Sequence, residues 1–320
     1  MQSVSVKDSP RPPQGAPAVT PGFARTTSGA ALLAFLLPTW LALAWLISKA
    51  QWFWKHNPEL QFGWVLVLLC AFLIWEAWEI RPQPQLRWRL AGCALAILGC
   101  GVLAMTQLYQ AAYGLTPASM SGLAFGVVLV MASNLSWVFG WRGVRHFAFA
   151  FGFILFALPI PSVIYSPIVI GLQSRVAAIN VEVLNMIGIP AEQAGSLIRL
   201  PNGTVGIDEA CSGIRSLQST VMATLFIGYL TLRARSLQVA LLLLGIALAL
   251  FGNLMRSFFL SYTANTQGLS AIEKFHDAAG WSILLFTACS VAACAMWLGR
   301  AEKAAMRNKA GRRTRTGDTA

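Results

Sequence analysis

Apolar residues in this chain occur in long runs, without the alternating or every-third-residue spacing of a water-soluble domain. A run of roughly 18 or more apolar residues is long enough to cross a bilayer as an α-helix. On this criterion the pattern predicts eight spanning helices: residues 30–48, 63–79, 90–107, 118–139, 144–161, 212–231, 237–258 and 278–298. We therefore predict an all-α polytopic membrane bundle that forms one domain over residues 28–298.

The stretch between the fifth and sixth predicted spans, residues 159–211, departs from this pattern. Three prolines (159, 161 and 167) interrupt its first part, and Asn202-Gly203 separates short apolar runs at 197–200 and 204–207. Asn-Gly between two such runs is typical of a β-hairpin turn. We predict that this stretch is an irregular cap outside the membrane, with a hairpin and a part that lies along the interface.

Composition supports the membrane class, since 56% of the residues are hydrophobic and only 11% are charged. A soluble domain carries about 25% charged residues. Residues 1–27 are rich in Pro, Ser, Thr and Gly and predict a flexible cytoplasmic extension that lacks the apolar core of a signal peptide. Residues 299–320 are strongly basic. We interpret them as a disordered cytoplasmic anchor on anionic lipids and, despite a net charge of +12, predict no nucleic-acid partner.

The distribution of Lys and Arg predicts the orientation of the bundle. The two tails and the connections at 81–89, 142–145 and 233–235 share one side and carry 17 of the 24 basic residues, which leaves 7 for the other side. Because short loops rich in Lys and Arg stay in the cytoplasm, both termini are predicted to be cytoplasmic. The stretch 159–211 then faces the periplasm from a bacterial inner membrane.

Cys211 differs from the other cysteines of the chain. Five lie inside apolar runs, where Cys behaves as a small hydrophobic residue: Cys70, Cys93, Cys100, Cys289 and Cys294. Cys211 instead follows Asp208-Glu209-Ala210 at the start of a predicted helix. Free backbone N–H groups and the helix dipole favour a thiolate there, although the two carboxylates oppose it. No metal site or cofactor is predicted.

Arg256 and His276 are predicted to share the level of Cys211 in the membrane. Each of the three residues is 21 to 24 positions along the chain from an arginine assigned to the cytoplasmic side. At 1.5 Å per residue this is roughly 30–36 Å, about the thickness of a bilayer. We therefore expect all three at the outer ends of consecutive helices, where they converge.

Together these residue types suit acyl transfer through a thioester, with Cys211 as nucleophile. His276 would take the thiol proton and later protonate the leaving amine, and Arg256 would stabilise the oxyanion. Rivals remain open: Arg215 as the cation, His56 as the base and Ser212 as the nucleophile. His146 is excluded, because it lies on the cytoplasmic side. A structural role is the simpler interpretation of each residue taken alone. A His at the end of a helix usually caps that helix, and an Arg there usually reaches toward the lipid headgroups.

Three short motifs carry a family resemblance: Glu209-x-Cys211-Ser212-Gly213, Asn253-x-x-Arg256 and His276-x-x-x-Gly280. In this order, on the last three predicted helices, they resemble the exosortase/archaeosortase family of multipass sorting enzymes. The resemblance is best over about residues 150–298. One departure is Phe62-Gly63, where many members have His-Gly.

The resemblance implies Cys211, Arg256 and His276 as catalytic residues, with Glu209, Ser212, Arg215 and Asn253 as candidate supporting residues. It also implies secreted protein substrates with a C-terminal signal made of a Pro-Glu-Pro-like motif, a spanning helix and a basic end. The signal would be cleaved, with water, a glycan or a lipid amine left open as the acceptor. The chemistry resembles that of Gram-positive sortases by convergence.

A transporter or polysaccharide-export component is the chief alternative. In that hypothesis Arg256 and Arg215 bind an anionic lipid-linked sugar, and Cys211 is dispensable. Replacing Cys211 distinguishes the two functions, because only the peptidase requires its thiol.

Overall fold

The computed structural model describes residues 29–207 and 214–317 as a helical bundle with one small β-sheet. The helices are α1 (Gly29–Phe35), α2 (Leu37–His56), α3 (Gly63–Glu79), α4 (Leu90–Tyr113), α5 (Pro117–Gly152), α6 (Ser162–Met186), α7 (Ile214–Thr231), α8 (Arg235–Gln267) and α9 (Ser270–Gly317). Short 3₁₀ turns at Pro58–Leu60 and Phe153–Ala157 precede α3 and extend α5. The predicted membrane bundle is confirmed.

Six helices in the described ranges are long and apolar enough to cross a membrane, so the predicted count of eight is not confirmed. They are Pro58–Glu79, Leu90–Tyr113, Pro117–Ala157, Ser162–Met186, Arg235–Gln267 and Ser270–Asn308. The predicted span 30–48 is helical in α1–α2, and the described part of the predicted span 212–231 is helical in α7, but both fall outside this set. Polar side chains explain this for α7, whose sequence includes Gln218 and several Ser and Thr residues.

The predicted spans 118–139 and 144–161 are joined in α5 by a sharp kink at Gly140. The backbone of this residue has φ 71° and ψ −173°, a conformation that glycine adopts without steric cost. The helix loses internal hydrogen bonds there, but the connection between α3 and α4 replaces them. Gln85 N–H donates to the Val138 carbonyl (2.8 Å) and Arg87 N–H to the Trp137 carbonyl (3.0 Å). The predicted break between the two spans is therefore confirmed.

The segment 159–211 was predicted to be irregular, and this was wrong for most of its described part. Residues 162–186 form the helix α6, in which Pro167 lies in the second turn and removes one hydrogen bond. The strands β1 (Glu192–Ala194), β2 (Leu197–Leu200) and β3 (Gly203–Gly206) follow as an antiparallel sheet in sequence order. The hairpin predicted at Asn202-Gly203 is confirmed, with Leu200 paired to Gly203.

The sheet is docked onto the turn between α8 and α9. The Asn202 side chain donates to the Asn265 carbonyl near the end of α8. Gly203 has φ 142°, and a Cβ atom there would lie 2.8 Å from a methyl carbon of Leu269. Only glycine fits this contact without a shift. Below the sheet, Ile198, Ile207 and Leu260 form a buried cluster with residues of α6.

The basic tail was expected to be disordered, yet α9 continues through it to Gly317. Ala and Arg residues favour this continuation because their helix propensities are high. Glu302 also ties the segment to the bundle: its carboxylate accepts hydrogen bonds from the backbone N–H groups of Arg233 (3.0 Å) and Ala234 (2.7 Å). Since Ala234 is the N-cap residue of α8, one helix caps its neighbour.

Candidate active site

Arg256 and His276 are in direct contact between α8 and α9. A terminal nitrogen of Arg256, Nη2, lies 3.0 Å from Nε2 of the His276 imidazole. Both side chains are partly buried. The expectation that these two residues converge from consecutive helices is confirmed, whereas their catalytic roles stay predictions.

Arg256 and His276 were predicted to lie at helix ends, and this was wrong: both lie inside their helices. The span predicted at 237–258 continues to Gln267, and the span predicted from 278 begins at Ser270. The extension follows from the sequence, since residues 257–267 contain neither Gly nor Pro and bury Leu260 and Ala264. The site is therefore flanked by helix on both sides, which holds its backbone rigidly.

Small residues let α8 and α9 approach closely around this contact. A Cβ atom on Gly252 would lie 2.9 Å from a methyl carbon of Ile283 on the facing helix. A Cβ atom on Gly280 would meet the Arg256 guanidinium at 3.5 Å, an ordinary contact distance. Gly280, one turn after His276, thus leaves space for the Arg256 guanidinium to reach the imidazole.

Buried polar side chains surround Arg256 on α8. Asn253, one turn before it, is 3% exposed, and the neighbouring Ser257 is also buried. The side-chain amide of Asn180 on α6 donates to the Ser257 hydroxyl at 2.7 Å. Polar groups buried at this depth are costly unless they are hydrogen-bonded, so the bond fixes α6 against α8.

The other ring nitrogen of His276 faces the next residue along the chain. Its Nδ1 lies 3.0 Å from a carboxylate oxygen of Asp277, whose side chain is 90% exposed. Asp277 occupies an unspecified position of the His276-x-x-x-Gly280 motif and was not predicted to have a role. Asn180 and Ser257 were also missed; the available signal was that polar residues are rare in these helices.

The remaining predicted site residues are not all within the described part of the chain. Cys211, Glu209 and Ser212 lie outside it, so their placement stays a prediction. Arg215 is the second residue of α7.

The two other histidines make described contacts away from this site. His56 ends α2, with its Nδ1 2.7 Å from the Trp52 carbonyl and its ring stacked on the Trp52 indole. These contacts lie within its own helix and do not join His56 to Arg256 or His276. His146 contacts the Ala77 carbonyl through Nε2 at 2.8 Å, which gives it a structural role between α3 and α5.

An apolar cavity of about 500 Å³ opens beside α7. Its walls come from the end of α5, from α6 and from α7, and include Leu155, Ile168, Leu217 and Val221. Two polar groups at its edge are already bound: Gln218 donates to the Phe156 carbonyl, and the Tyr165 hydroxyl donates to Glu59. The cavity therefore offers an apolar surface close to the start of α7.

The arrangement has the chemistry of a base held next to a cation. Arg256 can only donate hydrogen bonds, so the His276 nitrogen that faces it carries a lone pair. Such an imidazole can accept a proton, and a guanidinium can stabilise an oxyanion. Within residues 29–207 and 214–317, no group of three or more His, Cys, Asp or Glu side chains is placed to hold a metal ion.

A comparison with protein families identifies one match. The family model described as transmembrane exosortase matches residues 54–293, which include α8, the site residues of α9 and the whole sheet. No curated protein and no solved structure is significantly similar to the chain.

Proposed function

Because the chain belongs to the transmembrane exosortase family, we propose that it is a membrane-embedded cysteine peptidase or transpeptidase. Its substrates are secreted proteins, from which it removes a C-terminal signal containing a Pro-Glu-Pro-like motif, a spanning helix and a basic end. The observation that carries the proposal is the 3.0 Å contact between the Arg256 guanidinium and the His276 imidazole. A cation and a base in contact at one level of the bundle are two of the three groups that acyl transfer needs.

The proposed reaction begins with the Cys211 thiol, whose proton passes to Nε2 of His276. The sulfur attacks the scissile carbonyl, and the carbonyl electrons move onto oxygen to form a tetrahedral intermediate. Arg256 turns from the imidazole toward this oxyanion. When the intermediate collapses, the C–N bond breaks, the imidazolium gives its proton to the leaving amine, and a thioester remains on Cys211. Water or an acceptor amine then releases the new carboxyl end.

Chain connectivity supports Cys211 as the nucleophile. Ile207 is buried in the cluster that also contains Phe275 and Ala279, the residues on either side of the His276 turn. Cys211 follows Ile207 by four residues, and four residues span at most roughly 14 Å. The length of the chain therefore allows the Cys211 thiol to reach the described half of the site, as the proposal requires.

The apolar cavity beside α7 supports a substrate with a spanning segment. Leu217 and Val221 follow Cys211 by six and ten residues and line the cavity together with Ile168 of α6. We place in it the first apolar residues after the scissile bond, because a spanning segment must leave the cleavage point on its way into the bilayer. The basic end would then stop at the cytoplasmic face by the rule that orients the enzyme.

The experiment that tests the function replaces the nucleophile. In cells that express a signal-bearing substrate, Cys211→Ala should accumulate normally and process no substrate, because no thioester can form. Cys289→Ala is the matched control, since this cysteine is exposed on an apolar part of α9, and it should process substrate like the wild type. Mass spectrometry should detect a thioester on Cys211 of the wild-type chain.

Wild-type processing by Cys211→Ala would overturn the cysteine-peptidase proposal and leave the Ser212 enzyme and the transport alternative. A thiol-alkylating reagent distinguishes Cys211 from Ser212 as the nucleophile, because it reacts with the thiol and not with the hydroxyl. It should inactivate the wild type and label Cys211; inactivation without label at Cys211 would contradict the assignment of this residue.

A further inference from the structure

His276 has a second polar contact that the catalytic scheme above does not use. Its Nδ1 is 3.0 Å from Oδ1 of Asp277, while its Nε2 is 3.0 Å from Nη2 of Arg256. The imidazole is thus held at both nitrogens, by a cation on one side and a carboxylate on the other. The His276 side chain is 31% exposed and that of Asp277 is 90% exposed, so the carboxylate acts from the open side of the site.

The two contacts require the same tautomer of a neutral imidazole. A guanidinium nitrogen can only donate, so Nε2 must accept and carries no proton. A carboxylate can only accept, so Nδ1 must donate and carries the proton. The opposite tautomer would place a donor against a donor at Arg256 and an acceptor against an acceptor at Asp277. Each contact therefore reinforces the other.

We propose that Asp277 is a positioning residue that holds His276 as its Nδ1–H tautomer. The consequence for catalysis rests on the proposed function: when the guanidinium turns to the oxyanion, Nε2 is left unprotonated and aimed at the site. Without Asp277 the ring turns over about its Cβ–Cγ bond, or adopts the Nε2–H form that a free neutral histidine side chain prefers. In either case the wrong nitrogen, or a protonated one, faces the thiol.

The effect is limited by exposure, because a carboxylate in contact with solvent is screened. For groups that orient metal-bound histidines the loss is about 10- to 100-fold; by analogy, and because Asp277 is exposed, we expect a loss near the lower figure. A general electrostatic effect is the competing explanation, since a carboxylate can act on a nearby cation or imidazole without a hydrogen bond. The test must therefore read the state of the ring and not activity alone.

Nitrogen NMR of the full-length protein labelled with ¹⁵N-histidine reads that state. The chain has only three histidines, so His276 can be assigned by loss of its signals in His276→Gln. We expect the wild-type protein to show the Nδ1–H tautomer at His276. Asp277→Ala should shift the signals toward the Nε2–H tautomer, and Asp277→Asn should largely retain the wild-type pattern, because the amide oxygen still accepts from Nδ1–H.

Glu273→Gln is the matched control. It removes a carboxylate from an exposed position of the same helix, one turn before His276, and should leave both the tautomer and the rate of processing unchanged. On a signal-bearing substrate, Asp277→Ala should lower kcat about tenfold with little change in KM, and Asp277→Asn should recover part of the loss.

An Nε2–H tautomer or an imidazolium in the wild type, or an unchanged tautomer in Asp277→Ala, would overturn the proposal. A loss of activity equal in Asp277→Ala and Glu273→Gln would also overturn it and show a general electrostatic effect. The spectra do not depend on peptidase activity. A tautomer that changes as expected in a protein that processes no substrate would therefore leave this inference standing while the proposed function fails.

Discussion

At Gly280 a missing side chain governs where the Arg256 guanidinium can lie. A Cβ atom would be in ordinary contact with it at 3.5 Å, so a longer side chain that extends toward α8 would enter the volume that the guanidinium now fills. The His276-x-x-x-Gly280 motif thus has a steric meaning: the imidazole and the space for its cationic partner lie one helical turn apart on the same face of α9.

Substitutions at Gly280 should show whether Arg256 must keep its present position, since a small side chain leaves the guanidinium in place and a large one displaces it. We expect Gly280→Ala to keep processing within about twofold of wild type, and Gly280→Leu to lower it about 100-fold, the cost of displacing a catalytic group by about 1 Å. Rates of substrate processing measure the difference, with protein level as the control for folding. Equal activity in the two variants would show that Arg256 does not need its present position.

The residue scale also shows what the sequence could predict. The convergence of Arg256 and His276 was predicted by counting residues from arginines assigned to the cytoplasmic side. This is possible because the rise per residue of a helix is constant. The contact between Asp277 and His276 was not predicted, since side chains adjacent in a helix do not ordinarily face each other and only the rotamers reveal it. Asn180 was missed because its partner Ser257 is 77 positions away.

At the scale of elements, α6 is the largest departure from expectation. Its three flanking and internal prolines predicted irregular structure, but Pro159 and Pro161 precede the helix and only Pro167 lies within it. Prolines at or before a helix start are compatible with the helix, because the first N–H groups have no internal partner. The hairpin at Asn202-Gly203 was predictable because turn-forming residues between two apolar runs are a local signal, although the pairing of Leu200 with Gly203 makes Pro201 and Asn202 the two loop residues.

The position of α6 beside α7 gives a prediction about the cavity between them. Ile168 lines the cavity, whereas Ile170 on the same helix does not, and both are more than half exposed. Ile168→Trp should fill space needed by the substrate and lower processing at least about fivefold, the equivalent of roughly 1 kcal/mol. Ile170→Trp is the control and should process substrate normally. If both variants match wild type, the substrate does not use this cavity.

On the scale of the whole molecule, the described contacts distinguish the two ends of α8. The sheet reaches the α8–α9 turn through Asn202 and Asn265, whereas Glu302 reaches the α7–α8 turn through Arg233 and Ala234. The candidate site lies toward the first end and the basic segments toward the second. Because basic loops remain in the cytoplasm, we propose that the sheet and the site face the periplasm.

Reporter fusions test this orientation. An alkaline phosphatase fused after Asn202 should be active, and one fused after Ala234 should be inactive, because the enzyme folds only outside the cytoplasm. Protein levels of the two fusions serve as the control. The reverse pattern would place the site in the cytoplasm, where no secreted substrate could meet it.

The hydrogen bonds from Arg233 and Ala234 to the Glu302 carboxylate hold the start of α8 against α9. Arg256 lies 22 residues beyond Ala234, so a straight helix carries it roughly 30 Å from that point. With the base held against α9, a tilt of about 2° would shift the guanidinium by about 1 Å, enough to part it from the imidazole. A small tilt of α8 about its contact with Glu302 would therefore be enough to open or close the hydrogen bond between Arg256 and His276.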